Sequence, residues 1–399
     1  MSNFWSVYTA APHRVLFLPG FIQGLLAMLW WIFDLELRLT GNAGLVDLGL
    51  PAPLLHGWLM VYGFFPFFIF GFLFTAAPNW LSGPGISRSA YILTMFGLSL
   101  GAALLYVGQS AAGLVLHLIG WSVALQALWK TLRGGKDSDP RHAWATWAAL
   151  MLGAAGELLM LGGLLFDHWE WLQLGIELGI WGCLVPLFLT VCHRMIPWFA
   201  SRVVSNYVLI RPYPQLWLMW GASLSHFVLL AAGQEAMTWL VDFPLAALVF
   251  WFSMRWGLRH GFQVRLLAVL HIAFLWAGVA FSLYGLSSLA AFLGLAWSAG
   301  LAPLHALGIG FFGAMLIGMV TRVSLGHSGR ALQADSATWW LFWAIQAVAL
   351  LRMLPDLSAD AWPGHWISMT GLLWLVVFAG WSWKYAPMTW RRRVDGKAG

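Results

Sequence analysis

The chain has 399 residues, of which 61% are hydrophobic and only 9% are charged. Soluble domains carry roughly 25% charged residues, so this composition excludes a soluble globular protein and indicates a polytopic membrane protein. The formal net charge of +6 at pH 7 comes mainly from the loops between apolar runs. Membrane topology therefore explains that charge better than nucleic-acid binding does.

Twelve apolar runs predict an all-α fold with about twelve transmembrane helices. They cover approximately residues 15–33, 54–77, 90–108, 111–132, 143–166, 171–193, 214–232, 239–256, 266–286, 301–321, 339–354 and 366–385. The apolar segment 287–298 is expected to lie as a short helix at the surface. The first run lacks a small-residue cleavage site, so we interpret it as a retained anchor. Residues 1–399 are thus predicted to form a single integral membrane domain.

Charged residues alternate between the two ends of the runs. If the N-terminus is cytoplasmic, all of the 21 Lys and Arg residues except Arg38 and Arg352 lie in inner segments. The outer loops instead hold the acidic residues Asp34, Glu36, Asp47, Asp167, Glu170, Glu235, Asp242, Asp356 and Asp360. Because short cytoplasmic loops are enriched in Lys and Arg, both termini are predicted to be cytoplasmic. The basic segment 390–394 is interpreted as an anchor to the anionic surface of the lipid bilayer.

Histidines inside the runs are candidate ligands, because a polar side chain at membrane depth is costly without a partner. The candidates are His56, His117, His193, His226, His271 and His305. His56 and His305 each begin a run that crosses from outside to inside, so we expect both at a similar depth. Two helices can each supply one axial imidazole to a haem iron. Gly57, Gly63 and Gly308 leave room for the ring.

The chain contains no C-x-x-C-H motif, which excludes covalent c-type attachment and leaves a b-type haem. Three alternatives stay open for the histidines. His117 or His271 replaces one member of the pair, or His193 and His271 form a second haem site near the inner surface. In the third alternative, each histidine only hydrogen-bonds a carbonyl or a glutamate.

Other polar residues have both a functional and a structural interpretation. Glu157, near the middle of the fifth run, is either a proton carrier towards a redox site or an interhelical contact, with His226 as a candidate partner. Arg194 and Arg322 either hold haem propionates, because a guanidinium forks onto a carboxylate, or only satisfy topology. Pro197 is interpreted as termination of the sixth helix.

The stretch 305–330 combines several signals. Gly310, Ala314 and Gly318 recur at every fourth position, a small-residue stripe that allows another helix to approach closely. The apolar run stops at Arg322, and the following SLGHSGR predicts a polar turn.

Five segments resemble the NnrS family, bacterial membrane proteins associated with nitric oxide and containing haem. They are APHRVLFLPG (11–20), LHGWLMVYGFFPFFIFGFLFTAAPNWLSG (55–83), FLTVCHRMIPWFASRV (188–203), LLAVLHIAFLWAGV (266–279) and HALGIGFFGAMLIGMVTRVSLGHSGR (305–330). The resemblance implies one or two b-type haems and a multi-pass location in the bacterial inner membrane. It also implies a role in nitric oxide metabolism or resistance, in denitrification or nitrosative stress.

One segment departs from the family pattern. Many members read H-A-H-E-M where this chain reads HGWLM, so Trp58 and Leu59 replace a histidine and a glutamate. If that pair serves a copper or a proton path, this chain lacks it. A weaker, positional resemblance is to the large subunit of haem–copper oxidases and nitric oxide reductases, which carries metal-binding histidines on spans 2, 6, 7 and 10. Those spans carry His56, His193, His226 and His305 here, but the H-x-H motif of span 10 and the paired histidines of span 7 are absent, and His193 lies at the wrong end of its helix for that site. Fold analogy does not establish function.

The sequence thus predicts a haem b-binding membrane protein with His56 and His305 as metal ligands. Further cofactor-binding candidates are His271, His193, His226, His117, Arg194 and Arg322. If the protein is an enzyme, the resemblance implies reduction of nitric oxide at the haem, with an electron donor of unknown identity. The alternatives are a non-enzymatic haem protein that binds or senses nitric oxide, and a membrane transporter. Against transport, the sequence shows no internal repeat and no matched pair of broken helices.

Overall fold

The computed structural model describes residues 4–43, 47–137, 139–358 and 362–396. Within these ranges the chain forms helices and turns and no β-strand, which confirms the predicted all-α fold. The helices are α1 (Phe4–Tyr8), α2 (Pro12–Leu39), α3 (Ala52–Leu81), α4 (Arg88–Leu105), α5 (Ser110–Arg133), α6 (Arg141–Leu165), α7 (Trp169–Ala200), α8 (Tyr213–Ala231), α9 (Trp239–Arg255), α10 (Leu258–Gly261), α11 (Arg265–Phe292), α12 (Ala302–His327), α13 (Ser336–Leu357) and α14 (Trp366–Tyr385). Each predicted apolar run coincides with one of them.

Most of these helices are long enough to cross a membrane. Among the described residues, ten helices are both long and apolar enough to cross a membrane. The seventh and eighth predicted runs form α8 and α9, which have 19 and 17 residues. The chain is therefore a multi-pass helical membrane protein.

Three predicted helix boundaries were wrong. Helix α11 continues to Phe292 and ends before Gly294, whose φ is +69°, so 287–292 is not a separate surface helix. Helix α12 continues to His327, so the first four residues of the predicted SLGHSGR turn are helical. The helix ends there because Gly329 has a left-handed backbone conformation (φ +75°). Helix α7 continues through Pro197, which lies in its last turn, where one lost backbone hydrogen bond is tolerated.

The chain divides into two compact units. Unit 1 comprises Met1–Leu184, Val323–Ala331 and Phe378–Gly399, and unit 2 comprises Val185–Arg322 and Leu332–Val377. The single integral membrane domain and the cytoplasmic termini stay predictions.

Glycines bring the helices of unit 1 into direct contact. A Cβ atom placed on Gly97 of α4 would lie 2.4 Å from the Cα of Gly120 on α5, and one on Gly101 would lie 2.6 Å from the Cβ of His117. Between α6 and α7, a Cβ on Gly156 would lie 2.7 Å from the carbonyl oxygen of Gly175. These close approaches fix the positions of α5 and α6, which carry the polar residues described below.

Unit 2 uses the small-residue stripe of α12 in the same way. A Cβ atom on Gly310 would lie 2.5 Å from the ring of Trp276, and one on Gly318 would lie 2.6 Å from Val269. Both neighbours belong to α11. The predicted close approach of another helix to this stripe is therefore confirmed.

Helices α3, α7 and α12 each contain a π-helical segment, at Leu59–Phe64, Gly179–Leu184 and Ala306–Gly313. Such segments are rare and occur frequently at functional sites, because the wider turn re-aims neighbouring side chains. The first follows Trp58 directly, and the third follows His305 directly.

The basic C-terminal segment packs against other parts of unit 1. The guanidinium of Arg14, which is 1% exposed, donates to the carbonyl oxygen of Arg391 at 2.9 Å. Arg393 donates to the carbonyl oxygen of His327 at 3.1 Å and to the carboxylate of Asp395, whose hydrogen bond raises the pKa of Arg393. These contacts give the segment a packing role that the lipid-anchor interpretation did not include.

Candidate functional site

A buried histidine–carboxylate pair lies in unit 1. The Nδ1 atom of His117, on α5, lies 2.8 Å from one carboxylate oxygen of Glu157, on α6, and 3.0 Å from the other. Both side chains are 0% exposed. Because a carboxylate only accepts, Nδ1 carries the proton in this contact when the pair is a neutral imidazole and a carboxylate. The predicted contact between Glu157 and His226 is wrong, since His117 occupies that position.

Trp58 of α3 completes this pair. Its indole Nε1 donates to the Oε1 atom of Glu157 at 3.1 Å, and Trp58 is 0% exposed. The Trp58 ring also meets the His117 ring edge-on, with centroids 5.0 Å apart, and the Trp121 ring centroid lies 5.9 Å from that of His117. Sequence analysis treated Trp58 only as the loss of a histidine, because a single sequence does not show which helices are neighbours.

The second nitrogen of His117 has no such contact. Its Nε2 atom is buried and has no hydrogen-bond partner among the described residues. Leaving a buried polar group unsatisfied costs about 1–3 kcal/mol. In metal-ligating histidines, one ring nitrogen is commonly hydrogen-bonded to a carboxylate and the other binds the metal. The His117 ring has the same hydrogen bond at Nδ1 and, among the described residues, no partner at Nε2. The Trp58, Glu157 and His117 side chains are called the unit 1 triad below.

A second buried imidazole with unsatisfied nitrogens lies in unit 2. His271 of α11 is 0% exposed, and within the described parts of the chain neither Nδ1 nor Nε2 has a hydrogen-bond partner. The Gly261 backbone packs against its face, since a Cβ atom there would lie 2.5 Å from the ring. That Cβ atom would also lie 2.9 Å from Nε2, so only glycine allows the backbone to approach this ring so closely.

His226 pairs with an aspartate instead of Glu157. Its Nδ1 atom lies 2.7 Å from the Oδ1 atom of Asp242, and both side chains are almost fully buried at 1% and 0% exposure. Asp242 lies in the first turn of α9 and not in the predicted outer loop. The ring of Tyr284 meets the His226 ring edge-on at 5.4 Å. Each unit thus contains a buried histidine–carboxylate pair.

His56 and His305 belong to different units. The His56 ring stacks on Trp31, with centroids 4.2 Å apart and planes 12° apart, and the guanidinium of Arg38 lies 5.0 Å from the Trp31 centroid. Arg38 also pairs with Asp34 at 2.6 Å. A cavity of about 190 Å³ adjoins this stack and is lined by Trp30, Asp34, Leu37, Arg38, Ala43, Leu48, Leu50 and Ala52.

His305 is half-buried and is held by its own helix. Its Nδ1 atom lies 2.9 Å from the carbonyl oxygen of Leu301, which favours a proton on Nδ1 and a lone pair on Nε2. A Cβ atom placed on Gly308 would meet nothing within 4 Å. By contrast, a Cβ on Gly63 would lie 3.1 Å from Gln23, so no ring-sized space opens there.

His193 and the two arginines have contacts of their own. The Nε2 atom of His193 lies 3.1 Å from the carbonyl oxygen of Pro212, which gives this buried ring a structural partner. Arg322 lies over the Phe199 ring, 3.8 Å from its centroid. Arg194 lies within helix α7. The predicted roles of these residues at a cofactor stay predictions.

The described residues bring together no group of three or more His, Cys, Asp or Glu side chains that could hold a metal ion. The ligand-type histidines instead stand singly or with one carboxylate.

The helical spans and the buried histidine–carboxylate pairs define a class of multi-pass membrane protein with histidines placed inside its helical units. The model of the NnrS protein family matches residues 7–393, nearly the whole chain. The chain therefore belongs to the NnrS family, whose membrane proteins are linked to the nitric oxide response. No curated protein matches the chain.

Proposed function

We propose that this chain is a haem b-binding protein of the bacterial inner membrane that binds nitric oxide at the haem. The observation that carries the proposal is the buried His117, whose Nδ1 is held by Glu157 while Nε2 has no partner in the described chain. His271, with both nitrogens buried and unsatisfied, supports a histidine-held cofactor in unit 2 as well. Membership of the NnrS family supports the link to nitric oxide.

The residues present fit a haem. When bound, a haem iron supplies an open or displaceable position at which nitric oxide coordinates. The chain supplies neutral imidazole nitrogens, with His117 and His271 as the candidates that burial favours. His56 and His305 stay the ligand pair predicted from the sequence. Aromatic rings near these side chains, such as Trp121 beside His117, would exclude water from a bound haem and offer it an apolar surface.

The experiment is optical spectroscopy of the full chain purified in detergent from cells supplied with iron. Pyridine haemochrome analysis should detect haem b, and the dithionite-reduced spectrum should change when nitric oxide is added. A protein that carries no haem overturns the proposal, and so does a haem spectrum that nitric oxide leaves unchanged. Nitric oxide consumption with an artificial electron donor then separates an enzyme from a protein that only binds.

Ligand identity is tested with the single variants His56→Ala and His305→Ala, each purified at matched protein level. The control is His168→Ala, because His168 is exposed on a loop between helices. If His56 and His305 are the ligands, loss of haem or conversion from a six-coordinate to a five-coordinate spectrum is expected in both test variants and not in the control. If His117 is a ligand in place of one of them, the corresponding variant keeps the wild-type haem content. A variant with a wild-type spectrum and haem content removes that histidine from the predicted pair.

A further inference from the structure

We propose that Glu157 and Trp58 are positioning residues that set the electron density on the iron-binding nitrogen of His117. This inference rests on the proposed function, because the bound group is a haem iron. Neither residue touches the iron in this proposal. Each acts through the His117 imidazole.

The first step is the choice of tautomer. The carboxylate of Glu157 lies 2.8 and 3.0 Å from Nδ1 of His117 through its two oxygens. A carboxylate has no proton to give in its ionised form, so the contact fixes the proton on Nδ1 and leaves the lone pair on Nε2. The nitrogen that is buried without a partner is therefore the nitrogen equipped to bind a metal.

The second step is orientation. The triad takes one side chain from each of α3, α5 and α6, and all three side chains are 0% exposed. The contact between Gly101 and the Cβ of His117 leaves no space for the α5 backbone to shift towards α4. Trp58 donates to Oε1 of Glu157 at 3.1 Å, which holds the carboxylate in one rotamer. The His117 ring thus has a single supported position.

The third step is electronic. In a buried, low-dielectric site a hydrogen bond to an anion is stronger than in water, and chained hydrogen bonds polarise one another. Glu157 pulls the Nδ1 proton towards itself and gives the imidazole partial anionic character, which raises ligand basicity. A more basic imidazole would stabilise the oxidised iron of a bound haem and lower its midpoint potential. Trp58 acts in the opposite direction, because its indole proton withdraws charge from the same carboxylate.

A purely structural interhelical contact explains the site less well. Such a contact is complete when each buried polar atom is paired, since an unpaired one destabilises the fold. Here Glu157 is paired on both oxygens and Nδ1 is paired, yet Nε2 is not. The described residues therefore satisfy every polar atom of the triad except the one that a metal would use.

The experiment measures the midpoint potential of the haem by optical redox titration in the purified full chain. Glu157→Gln keeps a side-chain oxygen acceptor and removes the charge, so the potential should rise. Trp58→Phe frees charge on the carboxylate, so the potential should fall. The control is Glu177→Gln, which removes a half-buried carboxyl group hydrogen-bonded to Trp181 and not to His117, and should shift the potential far less.

The opposite signs distinguish an electronic role from a structural one, because general loosening of the site would move both variants in the same direction. Wild-type protein without haem overturns the proposed function together with this inference. If the wild-type protein contains haem but the two variants do not shift its midpoint potential in opposite directions, this inference alone is overturned. If Glu157→Gln retains no haem, the Trp58→Phe titration decides, and a rise or no shift there overturns the inference. In His117→Gly, added imidazole should restore haem binding, and failure of that rescue also counts against it.

Discussion

Replacement of Trp58 by phenylalanine should destabilise the fold more than the same replacement at Trp121. Both tryptophans are buried, at 0% and 1% exposure, and both lose one indole hydrogen bond. Trp58 donates to the Glu157 carboxylate at 3.1 Å, whereas Trp121 donates to the backbone carbonyl of Leu150 at 3.0 Å. The two variants remove the same atoms, so the difference between them isolates the acceptor.

The expected magnitude follows from the charge of that acceptor. Hydrogen bonds to charged groups contribute about 1.5–3 kcal/mol and neutral ones about 0.5–1.5 kcal/mol. The free energy of unfolding should therefore fall by about 1 kcal/mol more for Trp58→Phe than for Trp121→Phe, after the shared cavity cost cancels.

The two cysteines provide the assay. Cys183 and Cys192 are free and buried at 2% and 1% exposure, so a thiol-reactive fluorophore reports unfolding. Denaturant titrations in detergent would compare wild-type protein with the two variants. Equal losses at Trp58 and Trp121 would refute the reasoning, because they would mean that Glu157 behaves as a neutral acceptor.

Three further predictions concern helix packing, membrane topology and the contact between Arg322 and Phe199. Gly318→Leu should lower the free energy of unfolding by about 1–3 kcal/mol through overpacking. Gly221→Leu, with nothing within 4 Å of the added Cβ, should not lower it, so equal losses in a denaturant titration would contradict the packing. A reporter that is active only in the periplasm should stay silent when fused after Gly399, and activity there would overturn the predicted topology. Arg322→Lys keeps the charge but loses the planar stacking on Phe199 and should reduce haem content; unchanged haem content would leave Arg322 as a topological residue only.

The sequence was sufficient to predict the helices because bilayer-length apolar runs are a strong, local signal. The close packing of α12 was also predictable from the sequence, since Gly310 and Gly318 recur at helical spacing. Both glycines do contact α11. Helix ends were less predictable. Pro197 and the polar SLGH segment stay helical because tertiary packing overrides the local signal.

Side-chain partners were the part that a single sequence could not supply. His117, Glu157 and Trp58 are far apart along the chain, and the predicted depths favoured His226 over His117 as the partner of Glu157. Asp242 was assigned to an outer loop because it lies near the start of a run, yet it is fully buried against His226. Helix neighbours decide such pairs, and they are set by packing that hydropathy does not encode.

The most direct test of the central claim is the haem content of purified His117→Ala, measured by pyridine haemochrome analysis alongside wild-type protein. Wild-type protein should contain haem b, and the variant should lose haem or show a changed coordination spectrum at matched protein level. A wild-type protein with haem b and a His117→Ala variant with the same content and spectrum would contradict the assignment of His117 as a ligand.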